Sequence, residues 1–161
     1  DSLPSPEPCA MNLSDLLRQR REPILAAASD GLCRARLRSY ESVGREESYA
    51  RLARLFDLVI AAIAERNLTP VRQYAADLAA QRHAAGFDLA EVQAAINALE
   101  EAIWSAIVAE IEPAGLAEAF GLASTVLGAT KDRLATAYLE LATRTRVPAL
   151  DLGALFAGTD G

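Results

Sequence analysis

The sequence predicts an all-α protein, a helical bundle of five or six helices. Three observations lead there. Alanine makes up about a fifth of the chain, with leucine, arginine and glutamate also common, and all four are strong helix formers because they lose little rotamer freedom in a helix. Apolar residues recur at three- and four-residue steps in five separate segments, whereas β-branched runs that would suit strands are scarce. Helix start and stop signals bound most of those segments.

The first segment runs from about Ser14 to Tyr40, with Ser14 as a plausible N-cap and Leu16, Leu17, Ile24, Leu25, Ala28 and Leu32 as its core stripe. Pro23 and Gly31 should bend or break it, so it allows two helices. The second runs from about Glu46 to Arg66, where Leu52, Leu55, Phe56, Val59, Ile60 and Ile63 share one face and Asn67 suits the stop. The third opens at Thr69-Pro70, a cap followed by proline, and ends near Ala85 with Gly86 as a left-handed cap. Asp88 and Glu91 form a capping-box pair at the start of the fourth. Its stripe, Leu89 to Ile111, is widened by Trp104 and Val108, which predicts a central helix with several neighbours. The fifth runs from Pro113 to about Arg146, roughly 45 Å at about 1.5 Å per residue. It should outreach the helices beside it, and Gly115, Gly121 and Gly128 allow a kink or a close crossing.

The ends read differently. Residues 1–11, with Pro4, Pro6 and Pro8, form a disordered leader, and Met11 fits a native start. Residues 147–161, with Pro148, Gly153 and Gly158, read as a tail or as a linker to an absent output domain.

Charge and composition exclude several functions. A net charge of −6 repels phosphate backbones, so nucleic-acid binding by this segment is not expected. The basic cluster Arg18, Arg20, Arg21, Arg34, Arg36 and Arg38 reads as a solvated helix face. Cys9 and Cys33 are too few for a disulfide framework, so a reduced, cytoplasmic protein is expected. No apolar run reaches the length of about 18 residues that a membrane span needs.

No catalytic set assembles, and the chain reads as non-enzymatic. Glu100 and Glu101 point in different directions on their helix, Ser105, Ser124 and Thr125 lack a nearby base, and no Glu-x-x-His motif provides a metal site. His83 is the only histidine and reads as a polar helix-end residue, with haem ligation as the alternative. Tyr74, Trp104, Phe120 and Tyr138 are the candidates for lining a ligand pocket, with plain core as the competing reading. No cofactor and no metal are expected.

Four stretches carry a family resemblance. These are Ile63-Ala64-Glu65-Arg66-Asn67, Tyr74-Ala75 to Leu78-Ala79, Arg82-His83-Ala84-Ala85-Gly86-Phe87-Asp88-Leu89, and Glu91 to Ile96 leading to Leu99 and Trp104. They resemble the N-terminal domain of RsbR-type proteins, the RsbT co-antagonist family. The resemblance implies a globin-like helical fold without haem, homodimerisation, and a sensory role in bacterial stress signalling or transcriptional regulation, which makes residues 12–146 a helical sensory domain. In that family the domain usually precedes a STAS output domain and works in signalling assemblies with protein partners. No output domain follows Gly161, so the chain reads as an excised or stand-alone version. A haem-binding sensor using His83 and a generic helical adaptor are the alternatives.

Overall fold

The computed structural model describes residues 11–35 and 44–146. Among them are six α-helices, a single 3-10 turn and no strand, an all-α, globin-like bundle as expected. The leader up to residue 10 and the tail from residue 147 lie outside the described residues, as does the stretch 36–43 that the first predicted segment entered.

That first segment is two helices, α1 (Leu13–Gln19) and α2 (Arg21–Arg34). Pro23 accounts for the break. Its ring crowds the carbonyl four residues back and it has no N–H to bond there. That carbonyl belongs to Gln19, the last residue of α1. Within α2, Pro23 sits in the first turn, where no intrahelical N–H is required, and Gly31 passes without interrupting the helix. The cap of α1 is Asn12 rather than Ser14. Asn12 Oδ1 accepts from the Asp15 N–H at 2.9 Å and from the Ser14 hydroxyl at 2.8 Å. Starting the helix at Leu13 carries that residue into the core, at 6% exposure.

Helix α3 (Arg45–Glu65) buries the whole predicted stripe from Leu52 to Ile63. It stops on Arg66, which takes the left-handed conformation (φ 53°, ψ 41°), while the Asn67 N–H bonds the Ala62 carbonyl at 3.2 Å. Asn67 serves the next helix instead. Its Oδ1 accepts from the Thr69 N–H at 3.0 Å, so Thr69 is the first residue of α4 (Thr69–Ala84) and not its cap. Helix α4 closes on Gly86 at φ 85°, with Gly86 N–H bonded to His83 O at 3.1 Å and Phe87 N–H to Arg82 O at 3.0 Å. This pair of reversed bonds is the Schellman arrangement, and glycine meets the left-handed position without strain. The Asp88–Glu91 capping box forms at both ends, each bond 2.9 Å, and starts α5 (Leu89–Glu110). Pro113–Gly115 make the 3-10 turn, and α6 (Leu116–Arg146) follows unbroken for 31 residues.

Helix α5 is central, as its pattern predicts. It touches α1, α2, α3 and α6, and α6 in turn lies along α4 and α5 and crosses α3. Trp104 and Val108 do not join the buried face; they are 41% and 64% exposed. Ile103 and Ile107 hold the buried line, and the next residue along a helix turns away by about 100°. The basic residues near the start pair with the chain's own acids. Arg18 meets Asp15, Arg20 meets Glu110, and Arg21 clamps Asp57 through Nε and Nη2 at 2.9 and 3.0 Å, tying α2 to α3. Beside that clamp the Tyr49 hydroxyl, and then Arg21, hold the Glu22 carboxyl below the usual carboxylate range. Arg34 is exposed, and Arg36 and Arg38 lie outside the described residues.

Within α6, an added Cβ at Gly121 or Gly128 would meet nothing within 4 Å. Neither glycine makes a close crossing among the described residues. Each Gly→Ala change should therefore stabilise by about 0.5–1 kcal/mol, through the smaller entropy of the unfolded chain and better helix propensity. Urea titration checks this. A loss of stability would mean that α6 needs bare backbone there, for contact with another molecule.

Candidate functional site

The structure separates the predicted pocket aromatics. Trp104 on α5 and Phe120 on α6 meet edge to face, with ring centroids 6.2 Å apart and planes at 81°. With Glu101, Ser105, Val108 and Ala109 they line a shallow open hollow of about 460 Å³. The result is an aromatic and aliphatic surface where α5 and α6 run together, with Val108 64% exposed on it.

Tyr138 and His83 form a second place. Tyr138 is buried on α6, and its hydroxyl donates to the Phe87 carbonyl at 3.3 Å. The His83 ring, near the end of α4, stands edge-on to Tyr138 at 5.7 Å. The histidine thus helps close the α4–α6 seam beside the Gly86 turn. Among the described residues no group of three or more potential ligating side chains converges to hold a metal ion.

Tyr74 belongs to a third place, where α3, α4 and α5 meet near the end of α2. Its floor is apolar, made by Leu32, Leu52, Leu55, Leu78, Val92 and Ile96. Three side chains with polar heads join Tyr74 over that floor: Ser48 and Arg51 from α3, and Arg82 from α4. Helical spacing accounts for the arrangement. On α3, Arg51 and Leu52 lie three and four residues after Ser48 and four and three before Leu55, and on α4 Tyr74, Leu78 and Arg82 follow at four-residue steps. Arg51 pairs with Glu47 one turn back. The Arg82 guanidinium lies over the Phe87 ring at 4.7 Å, and Arg54 lies over the Tyr74 ring at 5.7 Å. Burial pushes the Tyr74 phenol above its ordinary value, with Arg54, Arg51 and Arg82 pulling the other way. The tyrosine hydroxyl is 3.4 Å from the Arg51 carbonyl.

Ser48, Arg51 and Arg82 were not singled out by sequence. The α3 pattern placed Arg51 and Arg54 off the core stripe, and the structure corrects this for Arg51, which is half-buried and lines the corner beside Leu52 and Leu55.

None of the three places joins a nucleophile to a base. Cys33 is exposed at the end of α2, and the hydroxyls of Ser105, Thr125 and Thr130 are turned back onto backbone carbonyls of their own helices. No described helix is long and apolar enough to cross a membrane.

Comparison with known proteins places the chain among signalling domains. The family model described as the RsbT co-antagonist protein rsbRD N-terminal domain matches residues 23–148. No curated protein and no solved structure matches the chain.

Proposed function

Because the chain belongs to the RsbT co-antagonist rsbRD N-terminal domain family, we propose that it is a non-haem, non-enzymatic input module of a stressosome-type signalling assembly, working as a homodimer. The observation that carries this reading is the unbroken α6. Its inward face, from Ala119 to Tyr138, is packed against α3, α4 and α5 together. A shift of any of those helices is felt along one rigid rod, and small shifts of packed helices are a standard way of passing a signal to an attached domain. The C-terminal end of α6, where Leu139, Glu140, Thr143 and Arg144 are exposed, is where such a movement would be read out. Membership of the family supports the signalling role, and it brings protein partners within the assembly as the expected company.

The second copy is proposed to sit on the Trp104–Val108–Phe120 surface. It is the exposed aromatic patch of a chain whose other aromatics are buried or half-buried where described. Interface cores are enriched in such residues, tryptophan and phenylalanine above all. His83 is proposed as a packing residue against Tyr138, not as a haem ligand.

The test is the mass of the 161-residue chain in solution by light scattering, with absorbance from 350 to 600 nm recorded on the same sample. A colourless species at twice the 17.2 kDa of one chain is expected. Val108→Asp should return it to one chain without loss of helix content, because Val108 is 64% exposed and gives the fold little. A colourless single chain would favour a generic helical adaptor, and a Soret band removed by His83→Ala would favour the haem sensor.

A further inference from the structure

The corner under Ser48, Arg51 and Arg82 contains four hydrogen-bond donors that nothing described in the protein satisfies. They are Ser48 Oγ, Arg51 Nη1, and Nε and Nη1 of Arg82, all buried and without a partner among the described residues. Ser48 is only 9% exposed. Buried polar groups in folded proteins are nearly always paired, and each one left unpaired costs about 1–3 kcal/mol. Four at one corner of an otherwise apolar floor call for a ligand rather than for chance.

The chemistry of the four restricts that ligand. The arginine nitrogens can only donate, and a serine hydroxyl readily donates too. The charge is also one-sided. Arg51 is matched by Glu47, whereas Arg82 and Arg54 make no ion pair among the described residues, so the corner is positive in a chain of net charge −6. A water molecule fits the half-open space of about 30 Å³, but it accepts two hydrogen bonds and brings two hydrogens of its own. A carboxylate offers about four acceptor sites and no hydrogen, and its charge offsets the guanidinium. A neutral ligand would leave the charge uncompensated.

We propose that this corner is a binding site for a small oxyanion, a carboxylate or a phosphate group, held by Arg82, Arg51 and Ser48 over the apolar floor. The site joins α3, α4 and α5, and α6 packs on all three, so occupancy is well placed to bias the helix argued above to carry the signal. Binding itself does not depend on that role and is read without it.

The experiment uses the 161-residue chain at fixed pH and ionic strength. Sodium phosphate and sodium acetate are titrated separately against sodium chloride, following amide chemical shifts by NMR and the melting temperature. Saturable shifts at the amides of Ser48, Arg51 and Arg82, with a rise in melting temperature beyond chloride, are expected for at least one anion. Phosphate alone would assign a tetrahedral headgroup, acetate alone a carboxylate, and both an unselective oxyanion site. Arg82→Met should abolish the saturable shift, and Ser48→Ala should weaken it several-fold while leaving the helices intact. Without added anion, Arg82→Met should melt no lower than the parent, because unpaired donors have been removed. Phosphate and acetate acting no differently from chloride would overturn the proposal, as would a saturable shift that survives Arg82→Met. Either result leaves the dimer mass untouched, so this site and the input-module reading fail separately.

Discussion

Phe56→Ala should remove about 3–5 kcal/mol of stability, the usual loss when a fully buried phenylalanine is truncated in a packed core. Phe56 sits at 0% exposure on α3, the helix that touches each of the other five. Its ring is flanked on α3 by Leu52, Leu55, Val59 and Ile60, all at 5% exposure or less. Two terms add: the transfer energy of the lost ring and the cavity that neighbouring helices fill only in part. A domain of this size has about 5–15 kcal/mol in hand, so the variant loses a large share of it, and its melting temperature falls by roughly 10 °C. Urea unfolding is the check. The midpoint should drop sharply with the slope unchanged. A loss below about 1 kcal/mol would mean that the helices around α3 collapse onto the space, contrary to ordinary core behaviour. Arg72→Ala, at an exposed position on α4, is the control and should stay within about 0.5 kcal/mol.

Lys131→Met should cost about 3 kcal/mol. Glu100 is the one buried carboxylate among the described residues, at 8% exposure, and Lys131 from α6 is its partner. The Lys131 Nζ also lies 3.4 Å from Asn97 Oδ1. Removing one member of a buried pair leaves an uncompensated charge, which costs about 3–5 kcal/mol, and the lower end applies because the lysine side chain keeps 29% exposure. The pair itself need not be strongly stabilising, since desolvation offsets much of the attraction. The double variant Glu100→Leu with Lys131→Met should therefore recover most of the loss. The four unfolding free energies, of the parent, Lys131→Met, Glu100→Leu and the double variant, compared as a cycle, decide the matter. A single variant as stable as the parent would mean that Glu100 finds water or another donor.

Much of the fold was legible because the signals are local. The α3 stripe from Leu52 to Ile63, the Gly86 turn and the Asp88–Glu91 box depend on residues three to five apart, and each forms where the spacing places it. Caps were less legible. Asn12 and Ser14, or Asn67 and Thr69, are chemically interchangeable at a helix start, and the choice falls to whichever register buries the neighbouring apolar residue. The site was the least legible part. Tyr74 was singled out, but its partners come from α3 and α4, separated by more than twenty residues for Ser48 and Tyr74, and no spacing rule reaches across helices.

The amino-acid sequence by itself determined that this chain is all-α, where most helices begin and end, which residues of α3 and α5 turn inward, and the family to which it belongs, because each of these is written in short-range periodicity and caps. Tertiary structure alone decided that Trp104 and Val108 face outward, that Glu100 is buried against Lys131, and that Ser48, Arg51 and Arg82 converge with Tyr74. The physical reason is that periodicity fixes the face a residue occupies on its own helix. Whether that face meets a neighbour, a charge or solvent depends on how the helices cross.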